Sequence, residues 1–291
     1  MTQPGDSPTV ARLQLGTRLR ALRLAAGITG ERAGAALHAT GSKISRVESG
    51  QVPVRERDVE ALLDLYGEGS PAARDELLAL ARESARRGWW DPYSDLVPTQ
   101  VRHCLELEAA ASVIATYDCL AVPALLQTEE YAQAVATSEP GSPAWRGGLG
   151  PRTLEHRRSL LSSAHPPKLW ALVDESVLSR PAPGPGVMAE QLAHLVKTAS
   201  QPRPRITVQI VPNDRAAALA AAGPFTILRF PAADLADVVF LELLATITCL
   251  ERRPAVDQHW RVFNLLATSA MSPEESLTAL QRMAGPAGPQ R

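Results

Sequence analysis

Aromatic side chains make up only 4% of this 291-residue chain, and cysteine occurs three times, at Cys104, Cys119 and Cys249. An odd number with no C-x-x-C spacing argues against a disulfide framework or a zinc knuckle and makes buried thiols the expectation. An excess of one charge is also missing, since 30 Lys and Arg stand against 31 Asp and Glu. No apolar run reaches the ~18 residues that a spanning helix needs, and the polar start MTQPGDSPTV lacks the apolar core of a signal peptide. A soluble, cytoplasmic protein that does not engage a membrane is therefore expected. HExxH, GxSxG, P-loop and GxGxxG patterns are absent, so Asp174, Glu175 and Glu242 read as capping or ion-paired acids, not as catalysts. His103, His194 and His259 stand singly, and His156 lies beside Arg157 and Arg158; no pair has ligand spacing. No enzyme, metal or cofactor is expected.

At 291 residues the chain exceeds one small helical unit of roughly 60 residues and leaves enough sequence for a second core. The expected organisation is a disordered start over 1–10, a helix-turn-helix domain over 11–87, a larger domain over 88–284 and a disordered tail over 285–291. The aromatic cluster Gly88-Trp89-Trp90-Asp91-Pro92-Tyr93 marks the junction.

The stretch ITGERAGAALHATGSKISRVESG, residues 28–50, carries the strongest signal. Gly27 suits a helix C-cap, Thr29 can cap a second helix, and Thr40, eleven residues on, can cap a third. After Thr40, Ile44 and Val47 fall on a face turned inward, while Ser42, Lys43 and Arg46 share the outer one, and Gly50 ends the helix. A recognition helix needs this division, because its buried side fixes it to the bundle while its exposed side reaches phosphates and base edges. Over 12–57 there are nine Lys or Arg against Glu31, Glu48 and Glu56, a local excess of six positive charges. Such a field favours phosphate binding by counterion release, although an Arg-rich solvated helical surface would have the same composition. Val59, Leu62, Leu63 and Tyr66, then a helix beginning at Ser70-Pro71, complete a five-helix bundle.

These residues resemble the Xre or lambda-repressor-like helix-turn-helix regulators, with the likeness running over 15–67 through LGTRLRALRLAAGIT, SKISRVESG and VEALLDLYG. The resemblance implies that Thr29 opens helix 2, that Thr29, Thr40, Ser42, Lys43 and Arg46 face double-stranded DNA, and that Glu48 packs back on an arginine of helix 1, assigned to Arg20. Ile44, Val47 and Gly50 support the motif. The chain departs from the family pattern at Gly30 and Gly41, where glutamine is common, and at His38, where glycine is preferred.

Beyond the junction, helices are expected over 99–112, 129–137, 152–163, 187–200, 256–269 and 273–284. Strands are expected over 168–174, 206–211, 225–230, 238–243 and 245–250, with loops over 138–151 and 181–186. The last three strands follow one another across short turns, which predicts an α+β domain with a mainly antiparallel sheet. This part resembles the uncharacterised domain that follows an Xre-type motif in many actinobacterial regulators, through GWWDPYSDL, YDCLAVPALLQTEEYAQAV, LWALVDESVLSRP, GPFTILRFP and MSPEES. The resemblance implies a neighbouring gene for a small partner protein. Trp89, Trp90, Leu125, Gln127 and Tyr131 form a candidate partner or ligand groove, though core packing accounts for the same residues. The expected function is a homodimeric DNA-binding transcriptional regulator with a sensory or partner-binding second domain. The alternative is a protein-interaction module, a neutralising or scaffolding member of a two-protein pair, with only weak or autoregulatory DNA binding.

Overall fold

The computed structural model describes residues 8–86, 99–138, 157, 159–163, 165–180, 185–201, 205–216, 223–232, 235–242 and 247–285. The chain divides into two compact units, residues 1–94 with 230–236, and residues 95–229 with 237–291. The expected junction at Gly88–Tyr93, the loop over 139–151, residues 181–184 and the tail beyond 285 lie outside the described residues.

In the first unit, five helices follow one another: α1 (Pro8–Ala25), α2 (Gly30–Ala36), α3 (Gly41–Glu48), α4 (Glu56–Tyr66) and α5 (Pro71–Ser84). Helix α1 starts at Pro8, inside the stretch expected to be disordered. Proline is tolerated in a first turn, and Val10 and Leu13 already follow helical spacing and are buried. The core joins Leu15 and Leu19 of α1, Ile44 and Val47 of α3, Val59, Leu62, Leu63 and Tyr66 of α4, and Leu77 and Ala81 of α5. Helix α1 can approach α3 only because position 16 is glycine, since a Cβ there would lie 2.5 Å from the Glu48 carbonyl oxygen and 2.6 Å from that of Val47. Helix α3 ends as expected at Gly50, whose φ of 69° lets Gly50 and Gln51 donate back to the carbonyls of Val47 and Arg46.

The second unit is an α+β domain built on one six-stranded sheet. Its strands are β1 (Val113–Asp118), β2 (Lys168–Asp174), β3 (Ile206–Val211), β4 (Phe225–Arg229), β5 (Val238–Glu242) and β6 (Ile247–Leu250), in the order β3-β2-β1-β4-β5-β6. Three of the five pairings are antiparallel, and β1 pairs β2 and β2 pairs β3 in parallel. The helices are α6 (Thr99–Ala110), α7 (Glu129–Ser138), α8 (Glu175–Ser179), α9 (Pro185–Ala199), α10 (Asn213–Ala216), α11 (Arg253–Ser269) and α12 (Pro273–Ala284). The central strand β1 is absent from the sequence expectations. Both its faces are buried, so VIATYD lacks the alternation that marks a half-exposed strand. Its face bearing Ala115 and Tyr117 continues through Leu172, Phe225, Ile227 and Val239 and packs under Val256, Phe263 and Leu266 of α11.

Candidate nucleic-acid interface

The two helix starts are built by threonine caps. The Thr29 hydroxyl accepts from the Arg32 amide at 3.2 Å, and the Thr40 hydroxyl accepts from the Lys43 amide at 3.2 Å, so each satisfies one of the free donors at its helix end. Between them the chain turns at His38, whose φ is 50°. Helix α3 divides its faces as its spacing predicts, with Ile44 and Val47 1% and 3% exposed. Ser42 and Arg46 are exposed and Lys43 is half-buried. Ser45 joins the outer face, a position that the three-residue spacing of Ser42, Lys43 and Arg46 did not single out.

Glu48 is held by Arg23, not by the expected Arg20. Arg23 donates from Nε to one carboxylate oxygen at 2.6 Å and from a terminal nitrogen to the other at 2.8 Å, while its second terminal nitrogen donates to the Ile28 carbonyl at 2.9 Å. The reason is helical phase. Arg23 continues the four-residue series of buried Leu15 and Leu19, whereas Arg20 is exposed. Hydrogen bonding to Glu48 raises the Arg23 pKa, so the guanidinium stays charged. Burial and the nearby Glu48 charge push the Tyr66 phenol up to about 12, which keeps it neutral. The fork ties the end of α1 to α3 and to the segment entering α2.

Of the nine cations, Arg12 is buried and Lys43 half-buried, and the other seven sort by pairing and exposure. Arg23 is cancelled by Glu48, and Arg18 lies 2.7 Å from Glu76. Arg20, Arg32, Arg46, Arg55 and Arg57 are exposed; Arg57 has a loose 3.5 Å contact with Asp58. Arg46 makes no ion pair among the described residues. The surface of α3 therefore offers a guanidinium, a partly exposed ammonium and hydroxyls, which is the donor set that phosphates and base edges accept from.

Glycine at 41 acquires a physical reason, whereas a Cβ at position 30 would meet only ordinary contacts, 3.8 Å from the Gly41 carbonyl oxygen. A Cβ at position 41 would meet the Glu31 amide nitrogen at 3.2 Å and the Gly30 carbonyl carbon at 3.3 Å, so the amino ends of α2 and α3 abut there. Gly34 is tighter still, with a Cβ at 2.8 Å from both the Ala39 oxygen and the Thr40 carbonyl carbon. A glycine inside a helical run signals such an approach, and this is the mark by which Gly16 and Gly34 can be found in the sequence.

The candidate groove of the second unit is not an open wall at the three residues described. Leu125 and Tyr131 are buried, the Gln127 amide donates to the Val122 carbonyl at 2.7 Å, and the Tyr131 hydroxyl accepts from the Val122 amide at 3.2 Å. Buried Gln191 completes the clamp, accepting from the Thr128 amide and donating to the Leu126 carbonyl. A turn this rich in backbone polar groups has to satisfy them internally, which turns Gln127 inward. Trp89 and Trp90 lie outside the described residues. No group of three or more His, Cys, Asp or Glu that could hold a metal ion occurs among the described residues. No helix among them is long and apolar enough to cross a membrane.

The model of a helix-turn-helix domain matches residues 14–77, which span α1 to α4 and the first half of α5, so the first unit is a helix-turn-helix module of the kind that binds DNA. No curated protein and no solved structure gives a match. A second family model, described as a domain of unknown function (DUF5753), matches residues 101–282 and thus nearly the whole second unit. With more than half of its length matched, the chain belongs to the DUF5753 family and carries a helix-turn-helix domain ahead of the family's defining domain.

Proposed function

We propose that the chain is a cytoplasmic transcriptional regulator of the Xre or lambda-repressor-like type that inserts α3 into the major groove of operator DNA. The observation that carries this reading is the division of α3: Ile44 and Val47 lock it into the core, while Ser42, Ser45 and Arg46 remain on its outer surface. One such helix reads half a site. A pair spaced by one turn of DNA, about 34 Å, requires a homodimer or a dimer formed on the operator. The second unit is read as a sensory or partner-binding domain without catalysis, its natural partner being a small protein encoded next to it. Its acids at the strand ends support that reading because they serve the backbone. Asp118 accepts from the Leu120 and Ala121 amides, Asp174 from the Ser176 amide and the Tyr117 hydroxyl, and Glu175 from the Asn213 amide.

The test is binding of the purified full chain to DNA from upstream of its own coding region and to an unrelated duplex, each at two salt concentrations. A preference of ~10³ or more for the upstream DNA is expected. Arg46→Ala should weaken binding and lower the salt slope by about one unit if Arg46 meets one phosphate; unchanged affinity and slope would remove it from the interface. Glycine at both 30 and 41 favours a second reading, since it leaves neither position a side chain for DNA. In that reading the chain is the neutralising or scaffolding member of a two-protein pair. Equal, salt-sensitive binding to both duplexes would support it, as would partner binding that survives Lys43→Ala with Arg46→Ala.

A further inference from the structure

The face of the sheet opposite α11 carries a feature that DNA binding does not use. In β6, Leu250 pairs with Val239 and Cys249 pairs with Phe240. Paired residues point to the same side of a sheet and successive residues alternate. Leu250 and Val239 pack toward α11, so Cys249 lies on the other side with Phe240. Helix α6 meets β6 on that side and turns Cys104 inward, 1% exposed. The two sulfur atoms come within 2.6 Å although 145 residues separate them in sequence. A disulfide needs about 2.05 Å between sulfurs, so only a small adjustment separates this contact from a bond.

We propose that Cys104 and Cys249 form a thiol redox site that closes into an intramolecular disulfide on exposure to a peroxide. Cys249 is the entry point, because it is half-exposed while Cys104 is buried. The Cys249 thiolate attacks one peroxide oxygen, the O–O bond breaks, and Cys249 becomes a sulfenic acid. Cys104 sulfur then attacks the Cys249 sulfur and displaces hydroxide, which leaves as water with the Cys104 proton. Two thiols and one hydrogen peroxide thereby give one disulfide and two waters, with both electrons passing to the peroxide. Hydrogen bonding to Cys249, followed by burial, holds the Cys104 pKa above that of an ordinary thiol, so Cys104 keeps its proton until its partner is oxidised. Cys119 packs beside the α11 core on the other face of the sheet and serves as an internal control. The bond would pin α6 to β6, one of the two edge strands of the sheet.

The reduced full-length chain is treated with hydrogen peroxide, unfolded in the presence of iodoacetamide and mapped by peptide mass spectrometry. The expected result is one alkylated cysteine, Cys119, with a Cys104–Cys249 linked peptide that dithiothreitol removes. The melting temperature of the second unit should rise by roughly 5–10 °C on oxidation. Three alkylated thiols, a link through Cys119, or a link between two chains would each overturn the proposal. In Cys249→Ala, Cys104 should stay fully alkylatable after peroxide; its loss there would show that it is oxidised without its partner. If that variant does not fold, the wild-type peptide map still decides.

Discussion

Each unit clamps one glutamate in an arginine fork, and the two forks sit in different electrostatic settings. In the first unit Arg23 grips Glu48 with side-chain exposures of 13% and 6%, and the neighbouring surface keeps Arg20, Arg32 and Arg46 in solvent. In the second, Arg157 grips Glu108 at 2.6 and 2.7 Å with exposures of 18% and 2%, and the strand-end acids Asp118 and Asp174 are spent on backbone amides. Burial and the opposing Glu108 charge act against each other on Arg157, and the charge prevails, raising its pKa. The first unit thus buries one charge pair, keeps others such as Arg18–Glu76 and Arg82–Glu56 nearer its surface, and leaves Arg20, Arg32 and Arg46 exposed, while the second uses Arg157, Glu108 and its strand-end acids to hold loops and helices together. A surface meant for a polyanion has to leave cations unpaired, whereas a scaffold gains from satisfying every group it buries.

The largest effects should come from breaking the forks. Removing one member of a buried pair leaves a charge without compensation, at a cost of about 3–5 kcal/mol. Arg157→Ala should lower the stability of the second unit by that amount and leave the first unit's transition in place, as read by chemical denaturation. Arg23→Ala should do the reverse, at the lower end of the range because the glutamate it strands is less buried, 6% exposed against 2% for Glu108. Arg20→Ala should cost less than about 0.5 kcal/mol, as for an exposed residue without special contacts. If Arg20→Ala and Arg23→Ala proved equal, the assignment of Glu48 to Arg23 would be wrong.

A smaller effect sharpens the comparison through pH. Burial pushes the Asp118 carboxyl up to about 6, against the opposing pull of the Ala121 and Leu120 amides and Arg180, with Glu242 adding to the rise. An unfolded aspartate titrates near 3.9. A raised folded-state pKa favours the protonated fold, so this group contributes stability that is full below about pH 4 and lost as pH rises through about 6. Allowing for partial exposure, the change should be about 1–2 kcal/mol. Asp118→Asn keeps an oxygen for the two amides and should flatten this part of the stability profile of the second unit; an unaltered profile would show that Asp118 is not its source.

The legibility of the two units differs for the same physical reason. In the helix-turn-helix, local chemistry decides: Thr29, Thr40 and Gly50 are caps whose hydrogen bonds close within three or four residues, so spacing alone places them. The Arg23 fork was readable in principle from the Leu15, Leu19, Arg23 series, but the choice of Arg20 follows sequence likeness instead of helical phase. In the second unit the decisive contacts are remote. Strand β1 is buried on both faces and pairs with β2 and β4, which lie about fifty and a hundred residues away, so nothing local announces it. Cys104 and Cys249 meet for the same reason, through the sheet order and not through any motif. Gln127 looks like a free polar contact in sequence and is turned inward by a turn whose amides need partners.

The smallest expected effect is also the most local. Helices α1, α2, α3 and α4 all end in the same reversed turn, with its left-handed residue at φ of 65° for Gly27, 50° for His38, 69° for Gly50 and 75° for Gly67. Three of these positions are glycine and one is histidine. A side chain in the left-handed region costs about 1–2 kcal/mol, and the extra backbone freedom that glycine loses on folding returns about 0.5–1 kcal/mol of that. His38 is exposed, so its replacement gives up little packing. His38→Gly should therefore stabilise the first unit by about 0.5–1 kcal/mol, raising its melting temperature by roughly 2–6 °C with no change in the second. Operator affinity should stay within about twofold, because Thr40 caps α3 from its own hydroxyl and does not depend on the preceding side chain. A destabilised variant would mean that the imidazole compensates for its backbone conformation. A stable variant with sharply weaker DNA binding would instead place His38 on the interface, where the outer face of α3 would no longer act alone.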